Sequence, residues 1–144
     1  MKRFAAALLC LAMCGTFETL AAKELKWGND LKAAAGIAGK QKKKNILLFF
    51  TAPGWCGPCR RLESGAMVSA GFKKIAEQAV LVKMDFSDRN KVTAAMNEAG
   101  RQFKLEGFPT LIVLDAAGKE KGRIVGFLPE KRYIADLNKL VNGK

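Results

Sequence analysis

Cys56 and Cys59 are the residues of this chain best suited to chemistry. They lie three positions apart in Trp55-Cys56-Gly57-Pro58-Cys59, and the other two cysteines, Cys10 and Cys14, fall near the start of the chain. Side chains at i and i+3 share one side of a helical turn, close enough for a disulfide to open and close with little backbone movement. The spacing therefore reads as reversible dithiol chemistry. Gly57 and Pro58 suit a helix's first turn, where a missing proline N–H costs nothing and φ is already near the helical value. Cys56 is then expected at the helix N-terminus, where free N–H groups and the positive dipole end favour thiolate over thiol. An exposed Cys56 is expected to attack, and a more buried Cys59 to resolve.

Other uses of the pair are disfavoured. The sequence contains no histidine, and two thiolates alone do not fill a tetrahedral zinc site, so no metal is expected. Haem attachment through CxxCH is excluded because Arg60 follows the second cysteine. A secreted disulfide scaffold carries several pairs at varied spacings, whereas the lone CxxC that remains if the N-terminal segment with Cys10 and Cys14 is removed is typically a redox couple in a domain-sized chain.

The flanking segments must present this pair. Asn45 to Thr51 is a continuous apolar run bounded by lysines and by Pro53-Gly54, which predicts a central strand buried on both faces and delivering the chain to Cys56. Before it, Leu25 to Trp27 predicts a short strand. Asn29 or Asp30 can then cap a helix with a buried stripe of Leu31, Ala34, Ala35 and Ala38. After it, a helix is expected from about Cys56 to Met67, weakened at Gly65. Ser69 caps a continuation with Phe72, Ile75, Ala76 and Ala79 at helical spacing.

Val80 to Phe86 alternates as a strand, with Val80, Val82, Met84 and Phe86 on one face. Ser87 or Asp88 is expected to cap a helix with Val92, Ala95, Met96, Ala99 and Phe103 inward. Residues 110–115 and 120–125 form a hairpin around Ala116-Ala117-Gly118-Lys119. Pro129 opens a final helix with Ile134, Leu137 and Val141 inward. Helices alternating with buried strands, then an edge hairpin and a closing helix, indicate an α/β domain: a central mixed β-sheet flanked by helices on both faces.

WCGPC, followed downstream by Phe108-Pro109-Thr110 and Val125-Gly126-Phe127, resembles the thioredoxin superfamily over roughly residues 25–141. Phe50-Thr51 before the loop resembles its secreted or periplasmic members. The resemblance implies the thioredoxin fold and a thiol–disulfide oxidoreductase acting through a mixed disulfide. It also implies a cis Pro109 facing the dithiol and a substrate groove formed by Trp55, Gly57, Pro58, Phe108, Pro109 and Gly126. An apolar groove with backbone donors suits an extended protein segment better than a small polar thiol.

The Gly-Pro pair resembles the reducing members, and thioredoxin, at about −270 mV, lies well below a strong periplasmic oxidant at about −120 mV. A protein-disulfide reductase is therefore expected, with isomerase or oxidase activity, or a non-catalytic binding module, as the alternatives. A permanently closed structural disulfide is a further reading. One departure from the family pattern matters. The strand before the dithiol usually carries a buried aspartate, and Ile46-Leu47-Leu48-Phe49-Phe50 contains no acid. Glu63, four residues after Cys59 on the same helical face, is the candidate acid–base partner, and Lys83, which matches the family's strand lysine, can pair with it.

Lys2 and Arg3 precede an apolar run from Phe4 to Cys14, and Ala21-Ala22 precede Lys23-Glu24, so residues 1–22 read as a signal peptide and 23–144 as one domain. The run is shorter than the ~20 apolar residues of a spanning helix, so no stable membrane insertion is expected after cleavage. Lipoprotein processing at Cys14 is an alternative, since Leu11 to Gly15 loosely resembles a lipobox with Met13 out of pattern.

Secretion or a periplasmic address makes an oxidising surrounding, and the chain has no flavin or nicotinamide motif. Electrons for a reductase are then expected from a membrane thiol donor. The chain carries 25 Lys+Arg against 13 Asp+Glu, a net +12. This surface suits anionic envelope components or acidic proteins. Lys40-Gln41-Lys42-Lys43-Lys44 reads as a loop, and without interleaved aromatics nucleic-acid binding is not expected.

Overall fold

The structure is a computed structural model that describes residues 24–43 and 45–143. The signal-peptide reading of residues 1–22 and the lipobox at Cys14 lie outside these residues. The elements in chain order are β1 (Trp27–Gly28), α1 (Leu31–Lys40), β2 (Asn45–Thr51), α2 (Gly57–Ser64) and α3 (Ala70–Ala76). They continue with β3 (Ala79–Asp85), α4 (Ala94–Gln102), β4 (Thr110–Asp115), β5 (Glu120–Val125) and α5 (Glu130–Asn142). Short 3₁₀ turns at Ala66–Val68 and Arg89–Lys91 complete the set.

The five strands make one mixed sheet in the order β1-β3-β2-β4-β5. β1 and β2 both run parallel to β3, while β4 is antiparallel to both β2 and β5. All seven residues of β2 are buried, as expected of a strand that is central and covered on both sides.

Alternation along the strands divides the core in two. Leu47, Phe49, Leu111 and Val113 face one way and pack against Leu62, Phe72, Ile75, Tyr133 and Leu137 of α2, α3 and α5. Ile46, Leu48, Phe50, Val82 and Met84 face the other way and pack against Ala34 and Ala38 of α1 and Met96 and Ala99 of α4. Each fully buried Phe or Leu of β2 stabilises the fold by about 1.5–3 kcal/mol. A one-residue slip of β2 would exchange the two faces, so its register holds the dithiol loop in place.

Several local expectations are refined. β1 is shorter than expected because only Trp27 and Gly28 pair, with Leu81 and Val82. Asp30 is the cap of α1, its carboxylate accepting from the N–H groups of Lys32 and Ala33. The helix expected to run from Cys56 to Met67 stops at Ser64. Gly65, at φ −110° and ψ −98°, leaves the helical region, and Ser69 recaps the chain for α3. Ala79 belongs to β3 and not to the preceding helix, because α3 ends at Ala76 and Ala79 pairs with Asn45.

Asp88 caps only the 3₁₀ turn, and Thr93 is the cap of α4, its hydroxyl accepting from the N–H of Met96. Ala95, expected inward, is exposed, and the buried residues of α4 are Met96 and Ala99. In α5 the most deeply buried positions are Tyr133 and Leu137, while Ile134 and Val141 are half-buried.

Candidate active site

β2 ends at Thr51, and the loop from Ala52 to Trp55 turns the chain into α2. The carbonyl of Ala52 accepts from the N–H of Trp55 at 3.1 Å and of Cys56 at 2.9 Å. Gly54 is required by close approach: a Cβ there would lie 2.8 Å from Cβ of Ser87, whose hydroxyl accepts from the Gly54 N–H. These contacts set Cys56 as the N-cap of α2 in an extended conformation, with Pro58 in the first turn.

Cys56 and Cys59 form a disulfide with their Cα atoms 5.3 Å apart. The Cys56 sulfur accepts from the N–H of Cys59 at 3.2 Å. A sulfur that caps a helix in this way is held where backbone donors and the helix dipole stabilise negative charge.

Accessibility separates the two sulfur-bearing residues less than the sequence suggested. Cys56, expected to be exposed, is 7% exposed, and Cys59 is 0% exposed. The reason is local packing: both cysteines sit with Ala52 against the half-buried rings of Phe86 and Phe108. The order is retained, with Cys56 the more accessible member.

The expected groove residues converge around the pair. The Phe108-Pro109 peptide is cis. The Pro109 carbonyl accepts from the Gly126 N–H at 2.8 Å, and Gly126 has φ +82°, a conformation that favours glycine. The Trp55 indole, 59% exposed, meets Phe108 edge to face at 5.6 Å between centroids. Gly57 is half-buried and Pro58 exposed beside Cys56. Beyond Gly126, Phe127 is 41% exposed, with the Arg61 guanidinium 5.1 Å from its ring centre.

Two residues join the site without having been singled out as site residues. Phe86 accepts from the Trp55 indole N–H through its carbonyl at 3.2 Å and packs on Phe108 at 5.3 Å. Ser87 anchors the loop as described. With Trp55, Arg89, Val92, Asn97 and Phe108 they line a cleft of about 550 Å³ beside the dithiol. Their sequence signal is positional. They follow the C-terminal end of a strand adjacent to β2, the edge where an open α/β sheet places its site.

Glu63 projects from the last turns of α2 toward the sheet. One carboxylate oxygen accepts from the Thr51 hydroxyl at 2.6 Å and the other pairs with the Lys83 ammonium at 2.5 Å. The anticipated Glu63–Lys83 pairing is therefore present, and the fully buried Thr51 is an additional partner. No hydrogen bond among the described residues joins Glu63 to Cys59. The pair borders a cleft of about 490 Å³ lined also by Trp27, Phe49 and Met67. In the strand register Phe49 stands directly opposite Lys83. An apolar ring thus faces the lysine across the sheet, and the carboxylate that meets it comes from the helix.

No group of three or more His, Cys, Asp or Glu among the described residues is arranged to hold a metal ion.

Comparison with known proteins agrees with this geometry. The family described as "Thioredoxin-like domain" matches residues 31–140. The "Disulfide bond reductase DsbH" of Chlamydia pneumoniae is 34% identical over 115 residues, covering 76% of this chain and 68% of the relative. The thioredoxin of Mycoplasma genitalium is 34% identical over 95 residues, covering 64% of this chain and 78% of the relative.

Among solved structures, a DsbH oxidoreductase superposes with a TM-score of 0.71 at 28% identity, covering 88% of this chain and 90% of that one. The oxidised C-terminal domain of Neisseria meningitidis DsbD shares the fold at a TM-score of 0.64 and 20% identity, over 79% of this chain and 98% of that domain. The WCGPC loop at a helix N-terminus, the cis-proline opposite it and these matches together place the chain in the thioredoxin-like family, as a thiol–disulfide oxidoreductase with a Cys56/Cys59 pair.

Proposed function

We propose that this protein reduces disulfides in other proteins outside the cytoplasm. The carrying observation is the asymmetry of the pair: Cys56 caps α2 with residual access to solvent, while Cys59 is fully buried behind it. The Cys56 thiolate attacks one sulfur of a substrate disulfide. A mixed disulfide forms, the substrate's S–S bond breaks, and the departing substrate thiolate takes a proton from solvent. Cys59 then loses its proton and attacks the Cys56 sulfur, closing the internal disulfide and releasing the second substrate thiol. Two electrons pass from the dithiol to the substrate, and a membrane thiol donor restores the reduced form.

Burial in apolar surroundings disfavours a thiolate, so the second step needs a proton acceptor. In this reading Glu63, held by Thr51 and Lys83, takes the Cys59 proton through water and passes it to the cleft beside Trp27. The exposed Trp55, the half-buried Phe108, Pro109, Gly126 and Pro58 would hold an extended substrate segment, and the name of the Chlamydia relative agrees with a reducing role.

Residues 1–22 are proposed to direct export and to be removed, leaving residues 23–144 as the mature domain. Among the described residues no helix is long and apolar enough to cross a membrane. N-terminal sequencing of protein recovered from an envelope fraction tests the cleavage, and an intact Met1 would reject it.

Reduction of insulin by dithiothreitol, followed by turbidity, tests the activity. Wild type should accelerate precipitation and Cys56→Ser should not. Equal rates for the two proteins would favour a binding module in place of a reductase.

A further inference from the structure

A cluster of lysines lies at the end of the sheet opposite the dithiol. β2 begins there at Asn45, paired with Ala79 of β3 and Asp115 of β4. Two lysines tie segments together at that end: Lys121 of β5 joins the start of β2 to the C-terminus of α5, and Lys43 of the α1–β2 turn reaches the end of α3. Lys121 donates to the Asn45 side chain at 2.8 Å and to the Val141 carbonyl at 2.7 Å, and Lys43 donates to the Glu77 carbonyl.

Together with Lys40, Lys42, Lys119 and Lys139 these make six ammonium groups, all but the half-buried Lys43 exposed. The acids of the same end are Glu77, Asp115 and Glu120, with Asp136, shared between Arg132 and Lys139, one turn earlier in α5. Asp115 is occupied by the N–H groups of Ala117 and Lys119, and Glu120 by both arms of the Arg123 guanidinium. The dithiol end is also basic but mixed, with Arg60, Arg61, Arg89, Lys91 and Lys104 against Asp85, Asp88 and Glu106.

The chemistry of the pole identifies its partner. Residues 40–43 and 115–121 contain lysine and no arginine. They supply hydrated point charges on flexible stems and not the planar forks that grip a single phosphate or carboxylate in two places. The exposed aromatic residues Trp55 and Phe127 lie at the dithiol end, so among the described residues the basic pole presents no exposed aromatic platform for stacking bases. Its one large exposed apolar neighbour among the described residues is Ile37, 40% exposed and one helical turn before Lys40. Diffuse lysines with an aliphatic side chain beside them fit a sheet of anionic headgroups over an acyl layer.

We infer that this lysine pole docks the protein on an anionic phospholipid surface with the Cys56–Cys59 pair turned away from it. The seven residues of β2, at ~3.3 Å each, separate the two ends by roughly 20 Å. That exceeds the screening length of about 8 Å at physiological ionic strength, so docking leaves the dithiol outside the field of the surface and open to proteins in solution. The inference goes beyond the proposed reductase activity and does not depend on it.

The test is co-sedimentation of the full chain with vesicles of phosphatidylcholine alone or mixed with phosphatidylglycerol. Three proteins are compared: wild type, Lys40→Glu/Lys42→Glu/Lys119→Glu, and Lys32→Glu/Lys91→Glu/Lys131→Glu, which has the same net charge but its changes elsewhere. Residues 1–22 are common to all three, so the reading is the gain on adding anionic lipid.

That gain should fall by about tenfold or more in the pole variant, little in the second variant, and with added salt in wild type. Insulin reduction should be equal in wild type and the pole variant, which reads the dithiol separately. No gain in wild type, or equal losses in both variants, would overturn the inference. So would pole-dependent binding to heparin or duplex DNA without any gain on vesicles.

Discussion

The ammonium of Lys83 lies 2.5 Å from Oε2 of Glu63, joining the middle of β3 to the last turns of α2 behind the dithiol. The two side chains are 28% and 22% exposed, so water reaches the pair while the Thr51 hydroxyl fixes the other carboxylate oxygen. In the proposed function this carboxylate, on the face of α2 that also carries Cys59, takes up the Cys59 proton through water.

Glu63→Gln should slow release of substrate from Cys56 by about 10²-fold, the lower end of general acid–base contributions. The first attack should be nearly unchanged. The fold should lose no more than about 1 kcal/mol, because a part-exposed ion pair contributes little. Stopped-flow measurement of the two steps from about pH 6 to 9, the range around an ordinary thiol's titration, separates them. An unaltered second step would make water alone the acceptor.

The accessibility order of the two cysteines predicts opposite trapping. Cys59→Ser should accumulate mixed disulfides with proteins through Cys56, and Cys56→Ser should not. Non-reducing gels of extracts made after acid quenching read this directly, and the reverse pattern would exchange the attacking and resolving roles.

The Gly57-Pro58 pair predicts a reducing couple. Equilibration with dithiothreitol buffers, followed by alkylation and mass measurement, should place it nearer the thioredoxin value of about −270 mV than the strong-oxidant value of about −120 mV. A potential above about −180 mV would assign the protein to the isomerases or oxidases.

Tyr133 gives a stability prediction with a defined sign. Its hydroxyl is buried without a hydrogen-bond partner among the described residues, and burial pushes the phenol above its ordinary value of 10.0. The folded state then holds its proton more tightly than the unfolded chain, so stability is complete below pH 10.0 and declines as pH rises past that value. Tyr133 is the one tyrosine of the sequence, so phenolate absorbance reports it alone. In wild type that signal should appear together with alkaline unfolding. Tyr133→Phe removes an unsatisfied group and should raise stability at neutral pH by about 1 kcal/mol while delaying alkaline unfolding. Phenolate absorbance that rises while the circular dichroism stays native would show the hydroxyl to be accessible in the fold.

The chemistry was legible in the sequence because it is local. Two cysteines three apart, a proline in the first helical turn and an apolar run before them specify a dithiol at the start of a helix without knowledge of any distant contact. The alternation in residues 80–86 likewise assigned their side chains to opposite faces, and the unbroken apolar run from Asn45 to Thr51 marked a strand buried on both, since a strand's two-residue period leaves no other arrangement. Helix boundaries were less legible. Asp88 and Thr93 are both competent caps, and only the packing of Met96 and Ala99 against β2 and β3 selected Thr93.

What the tertiary structure decided is what meets across chain distance. Phe86 became part of the site because β3 lies beside β2 and ends at the same edge, and Cys56 lost most of its exposure to Phe86 and Phe108. Glu63 was a candidate by its helical spacing from Cys59 and Lys83 by its match to the family's strand lysine, but Thr51 as the third member required β2 and α2 to be superposed. The lysines of residues 40–43, 119–121 and 139 are separate runs in the sequence. They form one pole because parallel and antiparallel pairing brings the start of β2, the end of β4 and the end of α5 to the same end of the sheet.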